Sequence, residues 1–491
     1  MDTEKQNFTY KFQIMLNNPD NLERKNEPVI TKLNFADYKV HRNSLVLFDD
    51  KNNRIPFQVF DVIGDGDYIQ EASIVYLVNM DKLVTSYWLY AGEESITNED
   101  VIKGIEKLQV TQADGFRRLD TGYYILELCS GTADGTSYGK WGIRYFEAKA
   151  EQKNLIKDYS NAIGGFYGPF FTPKNGLINP PEHTIVDCIV EVEGPLYCRY
   201  LFKGTVPDGL DENLKGKKFT ITWEFFHNSP WFRRKYEVDD FSTTVDGIPV
   251  VNKITVGDEF ESGKGDRVFT SFASYGGTYY REGDLYANIL SEGVHELLEQ
   301  ADEQNSPNIK KYKDNIGEDI NKVSWDYFWK LFCVKEGILD AEEIKKHIST
   351  IIPESHKQVH QSERNSNVLF DRFVDVNSAP EQTIFPMSAN KTAELNEDTG
   401  YAMVWYTSNV VSRYQIVQRN DSGWVNWGTN GENEHPELPT GSTIYSAYGK
   451  FDNWETQADT MEKNIDSKQG LATVLNNEVL DLRSEKEMIN L

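Results

Sequence analysis

Cysteine is scarce in this chain: four among 491 residues, Cys129, Cys188, Cys198 and Cys333, with no CxxC pair. That excludes a disulfide scaffold and a thiolate zinc site. Cys188 and Cys198 lie in strand-like segments close enough to share a hairpin, yet buried free thiols are the expected state. Basic residues are outnumbered: 51 Lys and Arg against 77 Asp and Glu leave a formal net charge of −26. A surface of that sign repels phosphates and anionic headgroups, so neither nucleic acid nor membrane is an expected partner. No apolar run reaches the roughly 18 residues that a membrane-spanning helix needs. The opening MDTEKQNFTYKFQIM has neither a basic n-region nor an apolar core, and a cytoplasmic location is the expectation. Phosphate-cradling GxxxxGK[ST] loops, a glycine-rich βαβ fingerprint, the GxSxG elbow and HExxH are all missing. Histidine is rare as well, eight in all, so each one bears on proton transfer.

What the chain does have is aromatic side chains, 13% of residues. It also has strand patterning over most of its length. The first 95 residues show short alternating runs (FTYKFQIML, SLVLF, IPFQVFDVIGDGDY, ASIVYLVNM) broken by turn signals, the pattern of a small β-barrel or sandwich. ITNEDVIKGIEKL has the spacing of a short linking helix. Residues 96–291 read as the first part of a large antiparallel super-sandwich. Residues 292–362 lose the alternation, and Trp325, Phe328, Trp329 and Phe332 recur at helical spacing; this is a helical insertion with a core-facing stripe. Strands resume over 363–460 as the remainder of the sandwich, and 461–491 is a polar tail. The expected fold is mainly β: a small N-terminal barrel or sandwich, then a large antiparallel super-sandwich interrupted by helices.

Three clusters are candidates for chemistry. The first is ITWEFFHNSPWFRRKYEVDD, where alternation puts Trp223, Phe225 and His227 on one face. Past the bend, Trp231, Arg233 and Lys235 share a face, and Phe232, Arg234 and Tyr236 share the other. Each face carries one arginine and one face belongs to the core, where a guanidinium needs a carboxylate partner. An Arg–carboxylate pair inside a sandwich and a cation beside a His and a Tyr in a cleft both remain open. The second is the long segment GGFYGPFFTPKNGLINPPEH, a length unusual inside a compact domain. There Tyr167 is a stacking candidate and His183 a candidate base. The third is GWVNWGTNGENEHPELP, where Trp424, Trp427, Asn430, Glu434 and His435 crowd together. Flat rings for pyranose faces, with amides and carboxylates for vicinal hydroxyls, form the mixture a carbohydrate site needs.

The phrases RIPFQVFDVIGDGDYIQEASIVYLVN and TSYWLYAGEE, then LQVTQADGFRRLDTGYYILELCSG, VEGPLYCRYLFKG and TWEFFHNSPWFRRKYEV, follow one another in an order that resembles the rhamnogalacturonan exolyase-like (YetA-like) polysaccharide lyases. The resemblance covers roughly residues 25–290 and implies the small barrel plus a mutarotase-like super-sandwich. It implies a lyase acting on a uronic-acid oligosaccharide by β-elimination. That reaction needs a cation for the carboxylate, a base and an acid. Arg233 or Arg234 supplies the first, His227, His183 or His435 the second, and Tyr236 or Tyr167 the third. Two other readings stand beside it. One is a glycoside hydrolase or sugar epimerase of mutarotase-like fold, with Asp239, Asp240, Glu432 and Glu434 as available carboxylates. The other is a non-catalytic carbohydrate-binding protein. Many carboxylates suit Ca²⁺, but there is no EF-hand pattern and no ligand set is assignable.

Overall fold

The structure is a computed structural model that describes residues 8–18, 23–80, 83–96, 107–113, 116–131, 141–156, 162–168, 186–206, 213–245, 248–261, 268–275, 373–375, 382–385, 389–396, 398–411, 414–419, 424–428, 438–466 and 472–481. The linking-helix expectation at 96–108 falls almost wholly outside these, and the helical insertion 292–362 does so entirely.

The described chain is mainly β, with antiparallel pairing throughout its named strands. The amino-terminal unit packs two small sheets face to face. In Tyr10–Asn17 the alternation is visible in burial, with Tyr10, Phe12, Ile14 and Leu16 inside. They meet Val29, Leu33, Ile74, Tyr76 and Leu89 in one apolar core. Residues 472–481, read from sequence as polar tail, form a strand that pairs with Tyr10–Asn17 and closes this unit. The helix Trp454–Asp466 precedes it and lies on the outer face of the large sandwich, against Ala393, Ala402 and Val404.

The large sandwich sets a ten-stranded sheet against a nine-stranded one. Its core is unusually aromatic. Trp141, Trp223 and Trp405 are fully buried, and the Trp223 and Phe225 rings lie nearly parallel with centroids 6.3 Å apart. The face assignment along Trp231–Val238 follows the alternation. Phe232, Tyr236 and Val238 join the core with Ile221, Trp223 and Phe225. Strands Asp187–Glu193 and Tyr197–Thr205 form a hairpin, but Cys188 stands opposite Phe202, so the two thiols do not face each other. Cys129, Cys188 and Cys198 are all free.

One side chain fastens the small unit to the sandwich. Gln58 accepts the backbone N–H groups of Leu196 (3.0 Å) and Tyr197 (2.9 Å) and donates to the Tyr197 carbonyl (3.0 Å). Phe60 and Val75 pack beside it on Tyr197, Phe226 and Trp231. Gly194 leaves the room for this amide: a Cβ there would lie 2.3 Å from the Gln58 side chain. Gly194→Ala is therefore expected to dislodge all three bonds and cost about 1–3 kcal/mol. Urea unfolding of the full chain checks this, with Gln58→Ala as the matching loss from the other side.

Candidate functional site

The strand Lys253–Phe260 is the centre of the candidate site. Its sequence KITVGDEF is buried from Ile254 to Phe260, so both of its faces are covered and the usual alternation is lost. It is flanked by Ile163–Gly168 on one side and Trp424–Gly428 on the other, each antiparallel to it. The two flanking strands thus run parallel to one another, about 10 Å apart across one intervening strand. Both run out at the same end: Gly168 stands opposite Thr255 and Gly428 opposite Gly257. The chain re-enters after 429–437 at Leu438–Pro439, which pairs with Ile254 and Lys253.

This end carries further polar residues. Asp239 and Asp240 follow Trp231–Val238, and their neighbour Phe241 exchanges backbone and side-chain hydrogen bonds with Asn252, the residue before the central strand. Lys217 pairs with Asp240. Asp240 and Asn252 hold positive φ angles of 55° and 49°. Asp and Asn are the residue types that adopt this left-handed region in turns at small cost.

Tyr167 occupies the penultimate position of one flanking strand, and Trp424 and Trp427 lie on the other. His183, Asn430, Glu434 and His435 lie outside the described residues, in the segments that leave from these two strand ends. The sheet therefore brings Tyr167 and Trp427, one from the second candidate cluster and one from the third, to strands that end on the same side.

The first cluster is divided. Arg234 is fully buried between the sheets, and its Nη2 donates to both carboxylate oxygens of Asp258 at 2.8 Å. Asp258 also accepts the Gly164 N–H at 2.7 Å, and the Tyr236 hydroxyl donates to the Gly164 carbonyl at 3.1 Å. Burial raises the Asp258 carboxyl above its ordinary value, while Arg234 and the Gly164 N–H act the other way. Burial likewise pushes the Tyr236 hydroxyl up. Arg233, on the opposite face, forks onto Glu224, with Nη2 at 2.7 Å from Oε1 and Nε on Oε2. Tyr197 donates its hydroxyl to the same carboxylate. Burial works to raise Glu224, but Arg233 and Tyr197 outweigh it and the carboxyl lies below its ordinary value.

His227 is buried in the turn between Lys218–Phe226 and Trp231–Val238, against Gly122, with its backbone N–H on the Leu196 carbonyl. That turn is at the other end of the eight-residue strand whose far end carries Asp239, about 27 Å away. The structure therefore places His227 apart from the strand ends that lead into His183 and His435.

One residue that the sequence reading passed over is Glu394. It is 1% exposed, and neither of its carboxyl oxygens makes a well-aligned hydrogen bond, the Thr392 side chain and its own backbone offering only weak support. Burial first, and then the nearby Asp258 charge, hold its carboxyl well above the ordinary value. Among the described residues no group of three or more His, Cys, Asp or Glu is arranged to hold a metal, and no helix is long and apolar enough to cross a membrane.

No family model matches the chain, the lyase family suggested by its phrases included, and no curated protein matches it. Solved structures do. An alpha-mannosidase from Enterococcus faecalis is 10% identical with a TM-score of 0.44, and the match covers 95% of this chain and 46% of that one. A glycosyl hydrolase family 38 protein from the same organism is 9% identical with a TM-score of 0.45, covering 97% and 48%. The chain spans about half the length of these two structures.

Proposed function

We propose that this protein is carbohydrate-active: it binds an oligosaccharide at the end of the ten-stranded sheet where Ile163–Gly168 and Trp424–Gly428 leave on either side of Lys253–Phe260, and it cleaves that substrate by hydrolysis. The observation that carries the reading is the shared exit of those two strands. It sets the strand carrying Tyr167 and the strand carrying Trp424 and Trp427 on either side of one strand, with His183 following the first in sequence and Asn430, Glu434 and His435 following the second. Aromatic rings, amides and imidazoles gathered at one edge are the recognition set for a sugar.

Hydrolysis is favoured over β-elimination by the partners of the two arginines. Arg233 is engaged by Glu224 and Arg234 by Asp258. Neither is left to neutralise a uronate, the first requirement of elimination. A hydrolase instead needs two carboxyl groups astride the bond. Asp239 and Asp240 stand at this end of the sandwich, with Glu432 and Glu434 in the segment between Gly428 and Leu438. The elimination reading keeps Tyr167 as acid and His183 or His435 as base, but it requires a cation from elsewhere.

Calorimetric titration of the full chain with neutral oligosaccharides tests the location. Trp427→Ala is expected to weaken binding about tenfold, or 1.4 kcal/mol. Unchanged affinity in both Trp427→Ala and Trp424→Ala, with folding intact, would remove the site from this end.

A further inference from the structure

The strand that carries Tyr167 pairs in an irregular register, and side chains inside the sandwich clamp it there. We propose, resting on the reading of that strand end as the oligosaccharide site, that Arg234, Asp258 and Tyr236 are positioning residues. They touch no substrate. They fix the register of Ile163–Gly168, and with it the place of Tyr167.

Ile163–Gly168 has the sequence IGGFYG, half of it glycine. Glycine-rich strands specify their register weakly. Against Lys253–Phe260 this one pairs Ile163 with Asp258, Gly165 with Gly257, Phe166 with Val256 and Gly168 with Thr255. Gly164 and Tyr167 are therefore extra residues, two bulges in one short strand. The other flank of the same central strand pairs without a shift, from Gly257 with Gly428 to Phe260 with Val425. On its second edge, Ile163–Gly168 has one rung among the described residues, Ile163 with Ile143. Beyond Ile163 the strand is thus paired along one edge alone. Bulges re-aim the residues they displace. A change in where the bulges fall would move Tyr167.

The first bulge is gripped from three sides. Gly164 takes a φ of 91°, and a Cβ there would lie 2.2 Å from the Trp223 ring. Its N–H donates to Asp258 at 2.7 Å, and its carbonyl accepts the Tyr236 hydroxyl at 3.1 Å. Asp258 is fixed in turn by Arg234, whose Nη2 reaches both carboxylate oxygens at 2.8 Å, with both side chains fully buried. The grip crosses the sandwich. Asp258 stands on the strand next to Gly164, whereas Arg234, Tyr236 and Trp223 belong to the nine-stranded sheet. A buried ion pair rarely outdoes apolar side chains of equal volume for stability, and its best-attested use is to select one arrangement over others. Here the competing arrangements are the other registers of a glycine-rich strand. Without the carboxylate, the buried Gly164 N–H loses its acceptor, and no polar contact to its N–H marks Gly164 as the bulged residue.

The test uses the full chain and two double variants that leave no unpaired charge. Arg234→Met with Asp258→Leu removes the acceptor for the Gly164 N–H. Arg234→Met with Asp258→Asn keeps an amide oxygen in its place. Urea unfolding establishes that each folds. Hydrogen exchange and calorimetric titration with a neutral oligosaccharide are then compared with the parent. The leucine pair is expected to exchange about tenfold faster over 163–168, with 124–129 unchanged, and to bind about tenfold more weakly. The asparagine pair is expected to stay within about threefold of the parent in both. Tyr236→Phe, which loses one hydroxyl, should bind about threefold more weakly, and it carries the test should a double variant not fold. A purely structural pair moves the urea midpoint and neither of these. Three results would overturn the inference: a folded leucine pair or Tyr236→Phe that binds as tightly as the parent, exchange that rises equally across the sandwich, or an asparagine pair no better than the leucine pair. A parent that binds no oligosaccharide sinks the reading of the site and this inference with it. Parent binding that survives the leucine pair sinks this inference alone.

Discussion

Asp258→Ala and Arg234→Met are each expected to lower stability by about 3–5 kcal/mol, because each leaves one ion of a fully buried pair without its partner. With a denaturant slope near 3 kcal/mol/M, that is a fall of about 1–2 M in the urea midpoint. The Arg234 guanidinium lies 5.9 Å from the Trp223 ring centroid, and tryptophan fluorescence follows the unfolding transition. The double variant Arg234→Met with Asp258→Leu removes both charges together and is expected to regain most of the loss, since apolar replacement of a buried pair is often neutral or better. This set also separates two roles for Arg234. A structural ion pair gives unstable singles and a recovered double. A substrate-binding cation gives singles that fold normally and have lost activity, and a double that does not regain it.

Glu394→Gln is expected to stabilise the protein at neutral and alkaline pH and to flatten its pH dependence. In the folded chain the carboxyl is held well above its ordinary value by burial and by Asp258. In the unfolded chain it titrates near 4.3. Folded protein therefore keeps a proton that unfolded protein releases. The stability from this group is full below about pH 4 and declines as pH rises toward the folded value, by about 1.4 kcal/mol per unit. Glutamine keeps the shape without the titration. Urea midpoints of the parent and Glu394→Gln should coincide near pH 4 and separate as pH rises. Parallel curves over pH 4 to 8 would show that Glu394 does not carry the proton.

Much of the β architecture is legible in local pattern. Tyr10, Phe12, Ile14 and Leu16 alternate with polar residues and are buried. Phe232, Arg234, Tyr236 and Val238 share an inward face as the alternation requires, and the buried arginine has its carboxylate. That partner is Asp258, in a strand where apolar and polar residues are buried alike, so pattern alone does not single it out. Glu394 is hidden for a related reason. Ala393 and Leu395 lie under the helix Trp454–Asp466, so the apolar residues of that strand mark the outer face and the glutamate faces in. Strand order is the least legible feature. The pairing of Ala472–Asp481 with Tyr10–Asn17 joins the two ends of the described chain, and nothing local encodes it. The same is true of the candidate site. The crowded aromatics and amides of 424–435 stand out in sequence. The neighbourhood of the strand bearing Trp424 and Trp427 with the strand bearing Tyr167, and the distance of both from His227, are set by which strands flank Lys253–Phe260.

The most direct test of the account is product analysis. The full chain is incubated with neutral and uronate-containing oligosaccharides, and new reducing ends are followed together with the ultraviolet absorbance of an unsaturated uronate. The account predicts new reducing ends from at least one neutral oligosaccharide, no unsaturated product, and about tenfold slower cleavage by Trp427→Ala at subsaturating substrate. An unsaturated uronate product would establish elimination and contradict it, as would the absence of both products across the panel.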